Sequence, residues 1–199
     1  MKKALARAAY TSLLHLATPF FLARLWWRGR REPGYRVALP ERLGHGKVQL
    51  AAGPLWIHAV SLGETRAAAA LIDALRAARP GLHLLLTHGT ATGRAAGASL
   101  MTPGDHQAWL PYDTPAAVRR FLRRYRPAIG VLMETEVWPN LLHEATRAGV
   151  PMVLANARLS DKSLRQGLRF AALLQPAVRS LRLILAQTGE DADRLQAMV

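Results

Sequence analysis

No cysteine occurs anywhere in the 199 residues. That excludes a disulfide framework, thiolate metal sites and a cysteine nucleophile, and leaves no mark of an oxidising compartment. Acidic residues are scarce: 13 Asp and Glu stand against 27 Lys and Arg, a formal net charge of +14. A surface of that sign attracts nucleic acid, anionic lipid headgroups or a phosphorylated substrate. Aromatics make up only 7% of the chain. They form no stacking series and no nucleic-acid recognition motif is present, so charge alone speaks for a basic nucleic-acid module and nucleic acid is not an expected partner. The seven histidines include no H-x-x-x-H or H-E-x-x-H spacing, so no resident metal is expected. Asp191-Ala-Asp193 reads as acids in the first turn of a helix.

Long apolar runs are missing too. The uncharged N-terminal stretch AAYTSLLHLATPFFLA, between Arg7 and Arg24, is interrupted by His15 and Pro19. As a helix it would measure roughly 24 Å, short of the ~30 Å hydrocarbon core of a bilayer. Trp26 and Trp27 follow, then Arg28, Arg30 and Arg31. Tryptophans beside arginines suit a membrane interface. Residues 1–31 therefore read as an interfacial or short spanning anchor, with a helix packed on the globular part as the other reading. A cleaved signal peptide fits less well, because bulky LARLWWRGRR stands where a small-residue cleavage site belongs. Residues 1–50 carry ten Lys and Arg against Glu32 and Glu41 alone. The expected organisation is anchor 1–31, linker 32–53 and globular domain 54–199.

From residue 54 short apolar runs alternate with helical patterns. LWIHAV, HLLLT, QAWLPYD, AIGVLME, VPMVLANA and LRLILAQ are six candidate strands, each followed by a helix. Near-continuous hydrophobicity marks strands covered on both faces, which predicts an α/β fold with a Rossmann-like, doubly wound parallel sheet. Ligands of such sheets bind at the carboxyl ends of the strands. The loops there are SLGE, HGTATG, YDTP, ETEVWPN, ARLSDK and TGED.

Two readings apply to several of these loops. Ser61-x-x-Glu64 is a capping box, and equally a carboxylate at the cleft mouth able to take a proton from an attacking hydroxyl. Gly63 beside it lets a ligand approach the backbone. THGTATG is either an ordinary turn or an anion nest that would engage Thr90, Thr92 and Gly93. In ETEVWPN, Glu134 and Glu136 either complement a helix dipole or orient a hydroxyl and stabilise developing positive charge. Asn140 closes that loop as a candidate substrate contact. Arg158 in ANARLS can hold a carboxylate or phosphate.

Taken in order, WRGRREPGYR, ERLGHG, HAVSLGET, THGTATG, LPYDTP, METEVWPN and ANARLS resemble the bacterial transferases of 3-deoxy-D-manno-octulosonic acid (Kdo). The resemblance runs over nearly the whole chain; His88 and Gly89 depart from the family pattern. It implies a GT-B glycosyltransferase that moves Kdo from CMP-Kdo to the lipid A precursor during lipopolysaccharide assembly, at the cytoplasmic face of the inner membrane. The acceptor would sit on this N-terminal domain and the donor mainly on a second Rossmann-like domain. Glu64 matches the family's general base, and Glu134 its second essential carboxylate, which stabilises the transition state. Ser61, Gly63, Thr90, Thr92, Gly93, Glu136, Asn140 and Arg158 are the expected substrate contacts. The implied reaction inverts the anomeric centre without metal or cofactor. Because the sequence stops before a donor domain, the 199 residues alone are expected to be inactive. The alternatives are a noncatalytic membrane-bound domain that binds anionic lipid and, on charge alone, a basic nucleic-acid-binding module.

Overall fold

The structure is a computed structural model that describes residues 1–46, 50 and 53–199. Six strands form one wholly parallel sheet: β1 (Leu55–His58), β2 (Leu84–His88), β3 (His106–Trp109), β4 (Ile129–Met133), β5 (Met152–Ala157) and β6 (Leu183–Ala186). Their order is β3-β2-β1-β4-β5-β6, the doubly wound arrangement the sequence predicts. The switch in strand order falls between β1 and β4, where Leu55 pairs with Leu84 on one side and Ile129 on the other. Loops leaving β1 and β4 therefore face a common crevice.

Both faces of the sheet are covered by helices. The α2 helix (Leu62–Ala78) packs on one side, where Ala68 and Ile72 meet Ile57, Leu86 and Val153. The short α3 helix (Ala91–Gly97) lies beside it. On the other side α4 (Pro115–Tyr125), α5 (Pro139–Arg147), α7 (Ala171–Arg179) and α8 (Gly189–Met198) bury Val118, Phe121, Leu142, Val178 and Leu195 against Trp56, Leu132 and Leu154. Trp56 sets the centre of that layer. Its ring meets Phe121 at 4.9 Å and its Nε1 donates to Thr87 Oγ1 at 2.8 Å. A β-carbon at Gly130 would lie 2.5 Å from Met152 Sδ and 2.8 Å from Trp56, so the β1–β4 pairing needs glycine there.

Several expectations are corrected. The strand read as 107–113 ends at Trp109, because Pro111 has no N–H to continue the ladder. The single helix expected after Ser160 is two, α6 (Asp161–Arg169) and α7, broken at Phe170, which leaves helical geometry at φ −107°, ψ 26°. Strand β6 is not covered on both faces: Leu183 and Leu185 stay half exposed, Leu185 lining an apolar groove of about 490 Å³.

The stretch read as linker is ordered where it is described. Residues Pro33–Arg36 and Leu39–Leu43 form 3-10 turns that strap the free edge of β3. Trp109 N–H donates to Glu41 Oε2 at 2.8 Å, and its indole N–H donates to the Val37 carbonyl at 2.7 Å. Covering an open strand edge in this way removes a template for pairing with other chains. Residues 47–49 and 51–52 of that stretch lie outside the described residues.

Residues Lys2–Arg28 form one helix, α1, with Pro19 inside it. One face packs on the body: Tyr10 bonds to Asp113, Thr11 to Asn140, and Phe21 meets Tyr112 at 5.7 Å. No described helix is long and apolar enough to cross a membrane, so the spanning form of the anchor is ruled out for α1.

Candidate functional site

The crevice at the β1–β4 switch is built by three loops. Ser61 ends the first, and its hydroxyl accepts from Glu64 N–H at 3.3 Å to start α2. Glu64 closes the capping box with both oxygens: Oε1 accepts from Ser61 Oγ at 2.8 Å, and Oε2 from Val60 N–H at 2.8 Å. The return bond thus goes one residue further back than the usual box, onto Val60 rather than Ser61. Glu64 is 8% exposed, so a carboxylate otherwise left buried has two donors to satisfy it. Gly63 is exposed, and a β-carbon there would meet only Ser61 Oγ, at 3.9 Å. Packing does not require glycine at that point; open space lies in front of the backbone.

The second loop crosses from β2 to α3. Thr90 Oγ1 accepts from Gly93 N–H at 3.1 Å and donates to the Val60 carbonyl at 3.0 Å. Gly89 N–H and Thr90 N–H converge on the same carbonyl at 3.1 and 2.9 Å. Two backbone donors of the expected anion nest are therefore spent on Val60 rather than turned to a ligand. Gly93 is demanded by closeness, since a β-carbon would come within 3.0 Å of the Val60 carbonyl. Thr92 is exposed, its hydroxyl 3.4 Å from Thr90 Oγ1.

The third loop leaves β4. Glu134 stands at φ +60°, a left-handed conformation that a non-glycine residue adopts at a cost. Asn156, the penultimate residue of β5, has φ +56°. Glu134 N–H remains tied to the Ala155 carbonyl at 2.9 Å, while its carboxylate reaches Arg158 Nη2 at 3.6 Å. Glu136 is partly exposed; its carboxyl is pushed up to about 7 by burial first, then by the charge of Glu64 and, more weakly, of Glu134. Glu136 feels the other two carboxylates across the crevice, yet among the described residues no group of three His, Asp or Glu side chains is placed as a metal ligand set.

Asn140 belongs elsewhere. It is fully buried; its amide nitrogen donates to the Asp113 carbonyl at 2.7 Å, and its amide oxygen accepts from Thr11 Oγ1 at 3.1 Å. The expectation of a substrate contact gives way to a wall residue, because every group of its side chain is committed to the protein. Asp113, in the YDTP loop, accepts from Asn140 N–H at 3.0 Å and Leu141 N–H at 2.6 Å, capping α5. Burial raises its carboxyl to about 7 against those donors.

Other polar groups around the crevice went unassigned in the sequence. His58 and His88 end β1 and β2, and burial lowers them to about 3 and about 4, leaving neutral rings at physiological pH. Glu41 and Arg42 of the strap are buried; Arg42 donates to the Gly89 carbonyl at 2.8 Å. Their signal in the sequence was ERLGHG, a polar string inside a segment that looked like a connector.

A family profile described as 3-deoxy-D-manno-octulosonic-acid transferase (kdotransferase) matches residues 37–199. The chain is 47% identical to the 3-deoxy-D-manno-octulosonic acid transferase of Bordetella pertussis, over 96% of this chain and 46% of that protein. It is 35% identical to the enzyme of the same description from Haemophilus influenzae, over 94% of this chain and 44% of the relative. A probable mitochondrial counterpart from Arabidopsis thaliana is 34% identical over 79% of this chain and 35% of its own length. The chain thus spans about half the length of the curated relatives it matches.

Proposed function

The chain belongs to the 3-deoxy-D-manno-octulosonic-acid transferase family, and from that premise we propose that it supplies the acceptor side of a Kdo transfer reaction in lipopolysaccharide assembly. The donor is CMP-Kdo, held mainly by a second Rossmann-like domain of GT-B type, and the acceptor is the phosphorylated lipid A precursor. One observation carries this reading: Glu64, Glu134 and Glu136 converge on the crevice at the strand-order switch, where ligands of such sheets bind.

Glu64 acts as general base, taking the proton of the acceptor hydroxyl as it attacks the anomeric carbon of Kdo from the face opposite the leaving CMP. The C2–O bond to the acceptor forms, the bond to CMP breaks, and the configuration inverts without a metal ion. Glu134, held in its strained conformation by the β5 carbonyl and by Arg158, stabilises the positive charge that develops on the sugar. Gly63 leaves room for the acceptor, while Thr92 and Arg158 offer exposed donors to its polar groups.

A second reading concerns which carboxylate takes the proton. Both Glu64 oxygens already accept hydrogen bonds, whereas Glu136 is more open and titrates near 7, the range where a general base works best. Glu64→Gln separates the two, since glutamine can still serve the capping box. In a chain extended by the half that the relatives carry, it should keep its melting temperature and lose about 10²–10⁴ in turnover. Wild-type turnover in that variant would discard Glu64 as the base. If Glu136 is the acceptor instead, the rate rises with pH through about 7 and that limb vanishes in Glu136→Gln.

Membrane attachment is proposed for α1. Leu5, Ala9, Leu13, Leu16, Phe20 and Trp27 recur at helical spacing on its outer face and are exposed. Lys2, Lys3, Arg24, Arg30 and Arg31 lie nearby, as in a helix lying flat in an anionic interface. In this reading the chain works at the cytoplasmic face of the inner membrane, where its acceptor is made.

A further inference from the structure

Arg42 is a costly residue. The residue is 6% exposed, and among the described residues no carboxylate lies within ion-pair distance of its guanidinium. The neighbouring acid, Glu41, is taken: its Oε2 accepts from Arg94 Nη1 at 2.9 Å and from Trp109 N–H. Arg42 stacks on the Trp109 ring, 4.1 Å from its centroid, and donates a side-chain hydrogen bond of 2.8 Å to the carbonyl of Gly89. Burial lowers it to about 10, which still leaves a cation at neutral pH. A buried charge without a counter-ion weakens a fold compared with an apolar residue of the same volume. A strap that only had to cover Trp109 would do so better with a leucine or methionine.

The Gly89 carbonyl leads back to the crevice. Gly89 N–H donates to the Val60 carbonyl at 3.1 Å, and Val60 N–H donates to Glu64 Oε2 at 2.8 Å. Three hydrogen bonds thus join a strap residue to the candidate base. Each step passes through one α-carbon, so the path transmits position rather than charge. Thr90 holds the same Val60 carbonyl through both its N–H and its hydroxyl. Val60 is thus held by two adjacent residues, and Arg42 fixes one of them, Gly89.

We propose that Arg42 is a positioning residue, which fixes the Glu64 carboxylate through the backbones of Gly89 and Val60. The proposal rests on the reading of Glu64 as the base for its catalytic consequence, but not for its geometry. Arg42 touches no substrate in this scheme. A planar guanidinium, still charged at neutral pH and stacked on the Trp109 ring, is suited to hold a carbonyl rigidly through one Nη2–H donor.

The geometry is read first on the 199-residue chain, by hydrogen exchange at the Val60 amide, in Arg42→Lys, Arg42→Gln and Glu41→Gln. Lysine keeps a cation over the Trp109 ring, so a folded variant is secured if glutamine fails. Exchange at Val60 should quicken by about tenfold or more in both Arg42 variants, since a loosened Gly89 weakens one of the donors on the Val60 carbonyl and lets the Val60–Glu64 bond open more often. Glu41→Gln slackens the same strap without cutting the path. It should lower the melting temperature at least as much and leave Val60 exchange within about twofold of wild type. A strap with only a structural role predicts instead that all three variants behave alike, and that result overturns the proposal. So does unchanged Val60 exchange in a folded Arg42→Lys.

Turnover in the extended chain completes the test. Arg42→Lys should cut kcat by about tenfold with the KM for the sugar nucleotide unchanged, because a misplaced base affects the chemical step. A fully active Glu64→Gln would remove the base assignment while leaving the exchange result standing. An inactive Glu64→Gln beside wild-type kcat in Arg42→Lys would remove the positioning role alone.

Discussion

Single residues around the crevice differ in where their polar atoms are spent. Asn140 and Thr90 look alike in sequence, each a small polar residue near a helix start. Asn140 is fully buried with its amide satisfied at both ends, whereas Thr90 caps α3 at the crevice rim. Asn140→Ala should therefore act on stability. It leaves the Asp113 carbonyl without its partner and should cost about 2 kcal/mol, read by urea unfolding, with no loss of acceptor affinity in the folded protein. Weakened acceptor binding at unchanged stability would return Asn140 to the ligand set. Glu134 shows the opposite logic. Its left-handed backbone costs free energy that no core contact recovers, as is common where geometry serves chemistry.

Elements carry the membrane question. Helix α1 is two-faced: Tyr10, Thr11, Phe21 and Leu25 tie it to the body, and its opposite face exposes Leu13, Leu16 and Phe20 at 64%, 80% and 67%. Those three side chains contribute little to folding, because the body does not bury them. A bilayer interface would, at about 1.5–3 kcal/mol for each side chain fully removed from water. The triple change Leu13→Gln, Leu16→Gln and Phe20→Gln should leave the melting temperature in place. Binding to vesicles containing anionic phospholipid should weaken by about 100-fold or more. Equal sedimentation of variant and wild type with such vesicles would end the interfacial reading. The strap makes a related point. Proline, glycine and charge in 32–46 suggest a connector, yet Glu41 and Arg42 are buried by a strand edge that sequence pattern cannot show to be open.

For the whole molecule, buried titratable groups oppose one another. His58 and His88 are lowered from 6.5 to about 3 and about 4. Their contribution to stability is present above 6.5 and is lost as pH falls through that value, when the unfolded chain binds protons the folded one refuses. Asp113 and Glu136 are raised from 3.8 and 4.5 to about 7. Their contribution is present below 4 and is lost as pH rises toward 7. Between pH 4.5 and 6.5 two groups pull each way. Asp113→Asn removes one of the raised carboxylates, so stability in that window should climb more steeply with pH than in wild type, by about 1.4 kcal/mol per unit. Parallel pH profiles from chemical denaturation of the two proteins would show that Asp113 is ionised throughout.

The alternation of apolar runs and helical patterns determined the six parallel strands, and strand ends determined which loops could hold chemistry; both follow from local patterning that any α/β sheet must satisfy. The capping box at Ser61 and Glu64 was equally local, a matter of residues three apart. Tertiary structure alone decided the rest, because the partners lie far apart in the chain. Tyr10 meets Asp113 across 103 positions, Thr11 meets Asn140 across 129, and Arg42 meets Gly89 across 47. A buried polar group must find a hydrogen-bond partner wherever the fold brings one. That search turned Asn140 inward, seated α1 on the body by one face only, and connected the strap to Glu64.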